Sequence, residues 1–332
     1  MKTASRASRN LSDILKLCDE DLQKVEAGLV VSAKSALPLV DDINKYLHKS
    51  GGKRFRPLLL LLSSRLCGFK GESVMSVGVV VELIHVATLV HDDIIDDAYV
   101  RRGRPSVNAK WGNQVTVLAG DWLYMTSFAL ALELRNFRVL DTLIGITRKM
   151  VEGELMQLEQ SGRLDISMKE QLEICERKTA DLFSGCGRLG AILADVGPKE
   201  EKRLASCGRF LGMAFQLIDD LLDYTSSEDT LGKPVLKDLQ EGKATLPIIC
   251  LMQRATQEEV QFIREVFIKR DFTRENKEEI VRLVGAYRVL EECRHQAEKY
   301  VLRAKDQLLE FPDSIYREAM IKLAELVITR EN

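Results

Sequence analysis

Apolar residues recur at spacings of three and four over long stretches of this chain, as in EKRLASCGRFLGMAFQLIDDLLDY, which starts at Glu201. Such a one-sided stripe marks helices that bury one face. No convincing alternating pattern of strands is present. The β-branched run GVVVELIHVATLV suits a buried strand by composition alone, but its length and its continuation into charged residues favour helix. Breaks fall at Gly51-Gly52, at 103–105, around Gly162, at Gly197-Pro198, across 226–247 and at Pro312. The pattern predicts an all-α bundle of long helices, with 226–247 as its longest loop region.

Composition leaves that picture intact. The 332 residues are 45% hydrophobic and 30% charged, with no break in composition, so one large domain over 1–332 is expected, with residues 1–10 as a polar tail. A net charge of -2 provides no global field for nucleic acid. The seven cysteines, Cys18, Cys67, Cys175, Cys186, Cys207, Cys250 and Cys293, are scattered and never form a CxxC pair, which suits a reducing cytoplasm. MKTASRASRN has no apolar stretch behind it, so no secretory signal is expected. Glu82 and His85 interrupt the most apolar window, 74–90, which favours a buried helix over a membrane span.

Two acidic motifs change the picture. In His91-Asp92-Asp93-Ile94-Ile95-Asp96-Asp97, the 3.6-residue period puts Asp92 and Asp96 one turn apart on one face, with Asp93 offset by about 100°. Thr88 and His85 extend that face backwards. In Asp219-Asp220-Leu221-Leu222-Asp223, Asp219 and Asp223 again share a face, and Gln216 extends it by a turn. Carboxylates about 6 Å apart repel by roughly 3 kcal/mol at an effective dielectric of 20, so each cluster calls for a cation. All-oxygen ligands without a zinc-like histidine or cysteine set select a hard ion. Magnesium, which bridges carboxylates to phosphate oxygens, fits best. A lone acidic patch is more often a solvated helix face, but two matched patches beside apolar runs weaken that reading.

Basic residues sit where loops meet helices: Lys53, Arg54 and Arg56 in GGKRFRP, Arg101-Arg102 before Gly103, and Lys233, Lys237 and Lys243 in GKPVLKDLQEGKATLP. They are candidate ligands for phosphate oxygens. With ELIHVATLVHDDIIDDAYVRRGRPS, LAGDWLY, GEL..Q at 153–157, Lys178-Thr179 and FQLIDDLLDY, they form an ordered set spanning nearly the whole chain. In these motifs the sequence resembles the trans-isoprenyl diphosphate synthases, most closely their long-chain bacterial members. That resemblance implies the isoprenoid synthase fold, helices around a central apolar cavity. It implies that Asp92, Asp93, Asp96, Asp219, Asp220 and Asp223 hold about three magnesium ions around an allylic diphosphate, with Asp92, Asp96 and Asp219 as metal ligands. Lys53, Arg56, His85 and Arg102 match positions that bind isopentenyl diphosphate. Arg101, Lys178, Thr179, Gln216, Lys233 and Lys243 match those around the allylic substrate. Arg54, Asp97 and Lys237 receive no role.

The reaction implied is a dissociative alkylation. Diphosphate leaves, an allylic cation forms, the double bond of isopentenyl diphosphate attacks it, and the departed diphosphate takes the proton that the new cation loses. Thr179 and Gln216 can turn oxygen dipoles toward that cation, and no protein nucleophile is required. Product length points to Ala87 and Thr88, five and four residues before Asp92, where short-chain relatives tend to carry aromatic residues. Small side chains there suit a deep tunnel or ordinary helix packing equally well. Phe128 is a candidate lower plug, and Met125 and Met150 line the tunnel or fill core. The resemblance implies an octaprenyl product, of about eight isoprene units, for a quinone side chain, and a homodimer; whether the protein makes peripheral membrane contact to release so apolar a product is not fixed by the sequence. A geranylgeranyl or other shorter product is the alternative. A non-catalytic regulatory subunit would be expected to have lost metal ligands, and a class I terpene cyclase would lack the second DDxxD and GGKRFRP.

Overall fold

The computed structural model describes residues 12–49, 51–225 and 236–329. The expected tail at 1–10, Lys233 and the 226–235 part of the predicted loop lie outside them. After a short helical stretch over 12–17 come α1 (Asp19–Ser32), α2 (Pro38–Lys49), α3 (Phe55–Leu66) and α4 (Ser73–Ile95). A two-stranded hairpin, β1 (Val100–Arg101) and β2 (Arg104–Pro105), leads to α5 (Val107–Trp111), α6 (Asn113–Glu133), α7 (Phe137–Gln160) and α8 (Met168–Cys175). A single π-helical turn, Glu176–Ala180, joins α8 to α9 (Asp181–Leu193), which precedes α10 (Pro198–Thr225). The chain ends in α11 (Lys237–Gln240), α12 (Leu246–Met252), α13 (Gln257–Lys269), α14 (Arg274–Ala286), α15 (Val289–Leu308) and α16 (Ile315–Ile328). The architecture is all-α, as the periodicity predicts.

The hairpin is a difference from the purely helical expectation. Arg102 (φ 52°) and Gly103 (φ 73°) both take the left-handed region, which a two-residue hairpin turn of type I′ demands. Arg101 pairs with Arg104 across it. Its purpose is local: it turns two consecutive guanidinium groups back toward the end of α4.

The centre of the bundle is α3, where Leu58, Leu59, Leu60, Leu61 and Leu62 are all fully buried. A helix apolar on every side belongs in the interior. Truncating any one of these leucines to alanine costs about 2–5 kcal/mol. Around α3 pack α4, α9 and α16, while α10 lies along α9 and α15, and α4 lies along α6. Helices α4 and α6 are both long and apolar enough to cross a membrane, but 67% of the α4 window is buried inside the bundle, against 33% for α6.

Glycines permit the tight contacts that place the π turn. A Cβ on Gly153 of α7 would lie 2.8 Å from the Lys178 backbone nitrogen, and one on Gly212 of α10 would lie 2.5 Å from Ala180 Cα. The turn is therefore clamped between two helices at positions where only glycine fits.

Candidate active site

The π turn, the end of α4 and the middle of α10 meet around a cavity of about 970 Å³. That is near the top of the range of about 300–1,000 Å³ for small-molecule sites. Of the residues selected from the sequence, Lys53, Arg56, His85, Thr88, Asp92, Arg101, Arg102, Lys178, Thr179, Gln216 and Asp219 line it. One aspartate of each motif thus faces the same space. Val117, Tyr124, Met150, Val151, Leu155 and Leu158 give it an apolar wall from α6 and α7.

The remaining motif carboxylates are distributed by helix geometry. Asp93, about 100° round α4 from Asp92, is buried, and its carboxylate accepts from Arg101 Nε at 2.6 Å. It lines a separate space of about 80 Å³ with Arg101 and Arg102. Asp96 caps the C-terminus of α4, and its Oδ1 pairs with Lys243 Nζ at 2.7 Å. Asp220 lies behind Gln216 in a pocket of about 120 Å³ shared with Lys178, Thr179, Asp238 and Lys243. Asp223 accepts the backbone N–H groups of Lys237 and Asp238 at 3.0 and 3.1 Å.

Several of the basic side chains are held in place by their surroundings. Lys178 Nζ pairs with Glu154 at 2.5 Å and donates to Gln157 Oε1 at 3.1 Å. Lys243 adds Glu241 at 2.8 Å to its contact with Asp96. Arg102 donates to the Gly51 carbonyl. Arg56 stacks over the Phe183 ring at 5.0 Å, and its Nε is buried without a hydrogen-bond partner. Arg54, unassigned from the sequence, also lines the cavity, but its guanidinium is tied into the fold: it takes φ 47° at the start of α3 and pairs with Glu26 and with Glu82, the latter at 2.6 Å.

Electrostatics follow from this crowding. Burial pushes Asp92 up to about 6, with Glu154 and Asp96 adding to the rise and Lys178 opposing it. Burial, joined by the Asp238 charge, also raises Asp220 and Asp223. Burial and then the guanidinium groups of Arg56, Arg102, Arg101 and Arg54 hold His85 well below the usual histidine range. It is a neutral imidazole at pH 7. Glu154 Oε1 and Asp220 Oδ2 are buried without a hydrogen-bond partner. Buried carboxylate oxygens that lack donors, beside carboxyls pushed upward, are groups that a bound divalent cation would stabilise, although among the described residues no three acidic, histidine or cysteine side chains converge to hold one.

The Thr179 hydroxyl donates to Gln216 Oε1 at 2.7 Å, and Gln216 Nε2 donates to Asp220 Oδ1 at 2.8 Å. The relay commits the Thr179 O–H and one Gln216 N–H to neighbouring oxygens, while both residues line the cavity. A π turn, common at functional sites, is what brings Thr179 and Lys178 side by side onto this face.

For the tunnel positions the structure separates neighbours. Thr88 lines the cavity and donates to the His85 carbonyl at 2.7 Å. Ala87, one residue earlier and so on another side of α4, is fully buried in the core. Phe128 is half-buried against the core and is not part of the cavity lining, where Tyr124, one turn before it, stands instead. Met150 lines the cavity, whereas Met125 is 63% exposed.

Glu154, Asp238 and Glu241 stand within the quoted motifs, but sequence reasoning gave them no role. Glu154 recurs at spacing four between Met150 and Leu158, both of which line the cavity, so a helical-face reading of α7 could have found it. Asp238, in the four-residue α11, and Glu241 at its C-cap lie in a segment too short to show a period.

The chain is similar to known proteins over nearly its whole length. The pattern of the family described as Polyprenyl synthetase matches residues 37–284. Octaprenyl diphosphate synthase of Escherichia coli is 37% identical over 322 residues, covering 97% of this chain and 99% of that one. The enzyme of the same name from Haemophilus influenzae is 36% identical over 321 residues, 97% of each chain. A crystal structure of polyprenyl synthase from Caulobacter crescentus, complexed with calcium and isoprenyl diphosphate, superposes with a TM-score of 0.93 at 33% identity, covering 97% of this chain and 98% of that one. The chain belongs to the polyprenyl synthetase family.

Proposed function

We propose that this protein is a trans-polyprenyl diphosphate synthase that adds isopentenyl diphosphate repeatedly, head to tail, to an allylic diphosphate. The observation that carries this reading is the single cavity: carboxylates from both aspartate motifs, the cationic side chains of α3, the hairpin and the π turn, and an apolar wall share one space of about 970 Å³.

Asp92, Asp96 and Asp219 would hold magnesium, about three ions in all by family resemblance, and bound magnesium would neutralise the departing diphosphate. Lys178 and Lys243 each spend two ammonium N–H groups on Glu154 and Gln157, or on Asp96 and Glu241, and offer the third to an allylic diphosphate oxygen. Arg101, fixed by Asp93, adds a guanidinium fork to the same group. Lys233 belongs to this set by its sequence match alone. Lys53, Arg56, Arg102 and the neutral His85 bind the isopentenyl diphosphate. Thr179 and Gln216, with their protons turned toward Gln216 and Asp220, present oxygen lone pairs to the allylic cation.

The product is octaprenyl diphosphate, of about eight isoprene units, destined for a quinone side chain. Support comes from the two octaprenyl relatives and from Thr88, a small side chain where the growing tail enters the apolar wall. The enzyme is a cytoplasmic homodimer. Exposed Leu118, Met125 and Leu132 on α6 and Phe137, Ile144, Val151 and Leu158 on α7 each repeat every seven residues, an apolar seam suited to the same seam on a second copy. Release of so apolar a product calls for contact with a membrane surface.

The test supplies farnesyl diphosphate, labelled isopentenyl diphosphate and magnesium to the purified protein and measures product masses. A forty-carbon product is expected. A twenty-carbon product overturns the chain-length reading, and no condensation overturns the synthase reading in favour of a non-catalytic subunit.

A further inference from the structure

The last aspartate of the second motif behaves unlike the first. Asp219 lines the cavity, and Asp223, one turn further along α10, does not. Both carboxylate oxygens of Asp223 are committed to main-chain donors: Oδ1 accepts from Lys237 N–H at 3.0 Å and Oδ2 from Asp238 N–H at 3.1 Å. Its own carbonyl accepts the Leu236 N–H at 3.0 Å. Three bonds from one residue thus seize three consecutive backbone amides thirteen to fifteen positions later in the chain. Leu236 is fully buried and takes φ 62°, a left-handed conformation that a leucine adopts only where its surroundings enforce it.

Beyond the anchored amides the chain forms a short strut. The Lys243 N–H donates to the Asp238 carbonyl at 2.8 Å, closing the segment on itself. The Lys243 ammonium then reaches Asp96 at 2.7 Å, with Glu241 at 2.8 Å steadying it. The strut therefore begins on the second aspartate motif and ends on the first.

We propose that Asp223 is a positioning residue: it does not hold metal, but fixes residues 236–243 so that Lys243 bridges to Asp96 and the two motifs keep their mutual placement. Its charge matters because a carboxylate binds amide N–H groups more strongly than a neutral acceptor does. Asparagine in its place retains one acceptor oxygen and turns an N–H against a second N–H. The inference rests on the synthase reading for its kinetic readout alone.

The experiment compares Asp223→Asn and Asp223→Ala with Asp219→Asn and Lys243→Gln. Hydrogen exchange of peptides covering 236–244 is measured first, in metal-free full-length protein. Both Asp223 variants should exchange there about tenfold faster or more, while Asp219→Asn leaves the rate unchanged. Condensation is then titrated with magnesium. Asp219→Asn should raise the half-saturating magnesium concentration by about tenfold or more, whereas Asp223→Asn stays within about threefold of the parent and loses activity in kcat and in KM for the allylic substrate. Lys243→Gln, which leaves the Asp223 anchors in place, should reproduce that kinetic pattern with the exchange rate of Lys237 and Asp238 unchanged. An Asp223→Asn enzyme whose magnesium requirement rises as far as that of Asp219→Asn, or whose 236–244 exchange matches the parent, overturns the proposal. If the parent protein itself catalyses no condensation, the exchange comparison still decides, and magnesium binding by calorimetry replaces the titration.

Discussion

Asp92→Asn should make the metal-free protein more stable while removing its activity. Burial and the neighbouring Glu154 and Asp96 raise the Asp92 carboxyl from the usual 3.8 to about 6. At about 1.4 kcal/mol per pH unit, that corresponds to about 3 kcal/mol of electrostatic cost once the group is ionised. The sign follows from proton linkage. The folded state holds this proton more tightly than the unfolded state, so its contribution is fully present below pH 3.8 and is lost as pH rises through about 6. Asparagine carries no such cost at any pH. The stability difference between variant and parent should therefore be small at about pH 4, grow between about pH 4 and 6, and level off near about 3 kcal/mol above about pH 7. At about 2 °C per kcal/mol for a chain of this size, the variant should melt about 6 °C higher at about pH 7.5. Thermal melts at closely spaced pH values, run with a chelator, measure this directly. Adding magnesium with an allylic diphosphate should raise the parent midpoint more than that of the variant, because ligand bound to the folded state adds stability. A variant no more stable than the parent in the neutral range, or an offset that does not change with pH, would refute the electrostatic account of Asp92.

Other outcomes rest on the same geometry. Thr88→Phe should shorten the product, read by mass spectrometry, with little change in melting temperature, because Thr88 lines the cavity. Ala87→Phe should instead destabilise the fold by about 1–3 kcal/mol through overpacking, because Ala87 is fully buried. Gly153→Ala should lower kcat by displacing the π turn that carries Lys178 and Thr179, since the added methyl would lie 2.8 Å from the Lys178 backbone nitrogen. A crystal structure of that variant with an unmoved turn would contradict the clamp. Met125→Lys together with Ile144→Lys should convert a dimer to monomers in analytical ultracentrifugation; a species distribution equal to that of the parent argues that this seam is not the interface.

The helical class was legible because apolar spacing is a local property, and α10 can be read directly from its stripe. The paired motifs were legible for the same reason: i, i+4 spacing on a helix fixes which carboxylates share a face. That rule has limits at helix ends. Asp96 sits at the C-cap of α4, where the chain leaves the helix, and Lys243 draws its carboxylate sideways. Asp223 keeps helical register with Asp219 but is captured by amides from a distant segment, which no local period encodes. The hairpin at 100–105 was hidden because two-residue strands are too short to alternate, and the break between α6 and α7 carries neither glycine nor proline, relying on the Asn136 side chain to cap α7. Ala87 and Thr88 show the finest limit: sequence proximity to Asp92 marks the right turn of α4, but only packing decides that one neighbour faces the cavity and the other the core.

The two motifs, on this reading, act together on one diphosphate. Crystals grown with manganese in place of magnesium and a non-reactive allylic thiodiphosphate would test that directly, through the anomalous signal of the metal. Metal peaks are expected at the 970 Å³ cavity, one or more on Asp92 and another on Asp219, with the diphosphate between them. Metal peaks confined to one motif, or a diphosphate bound away from both, would contradict joint action.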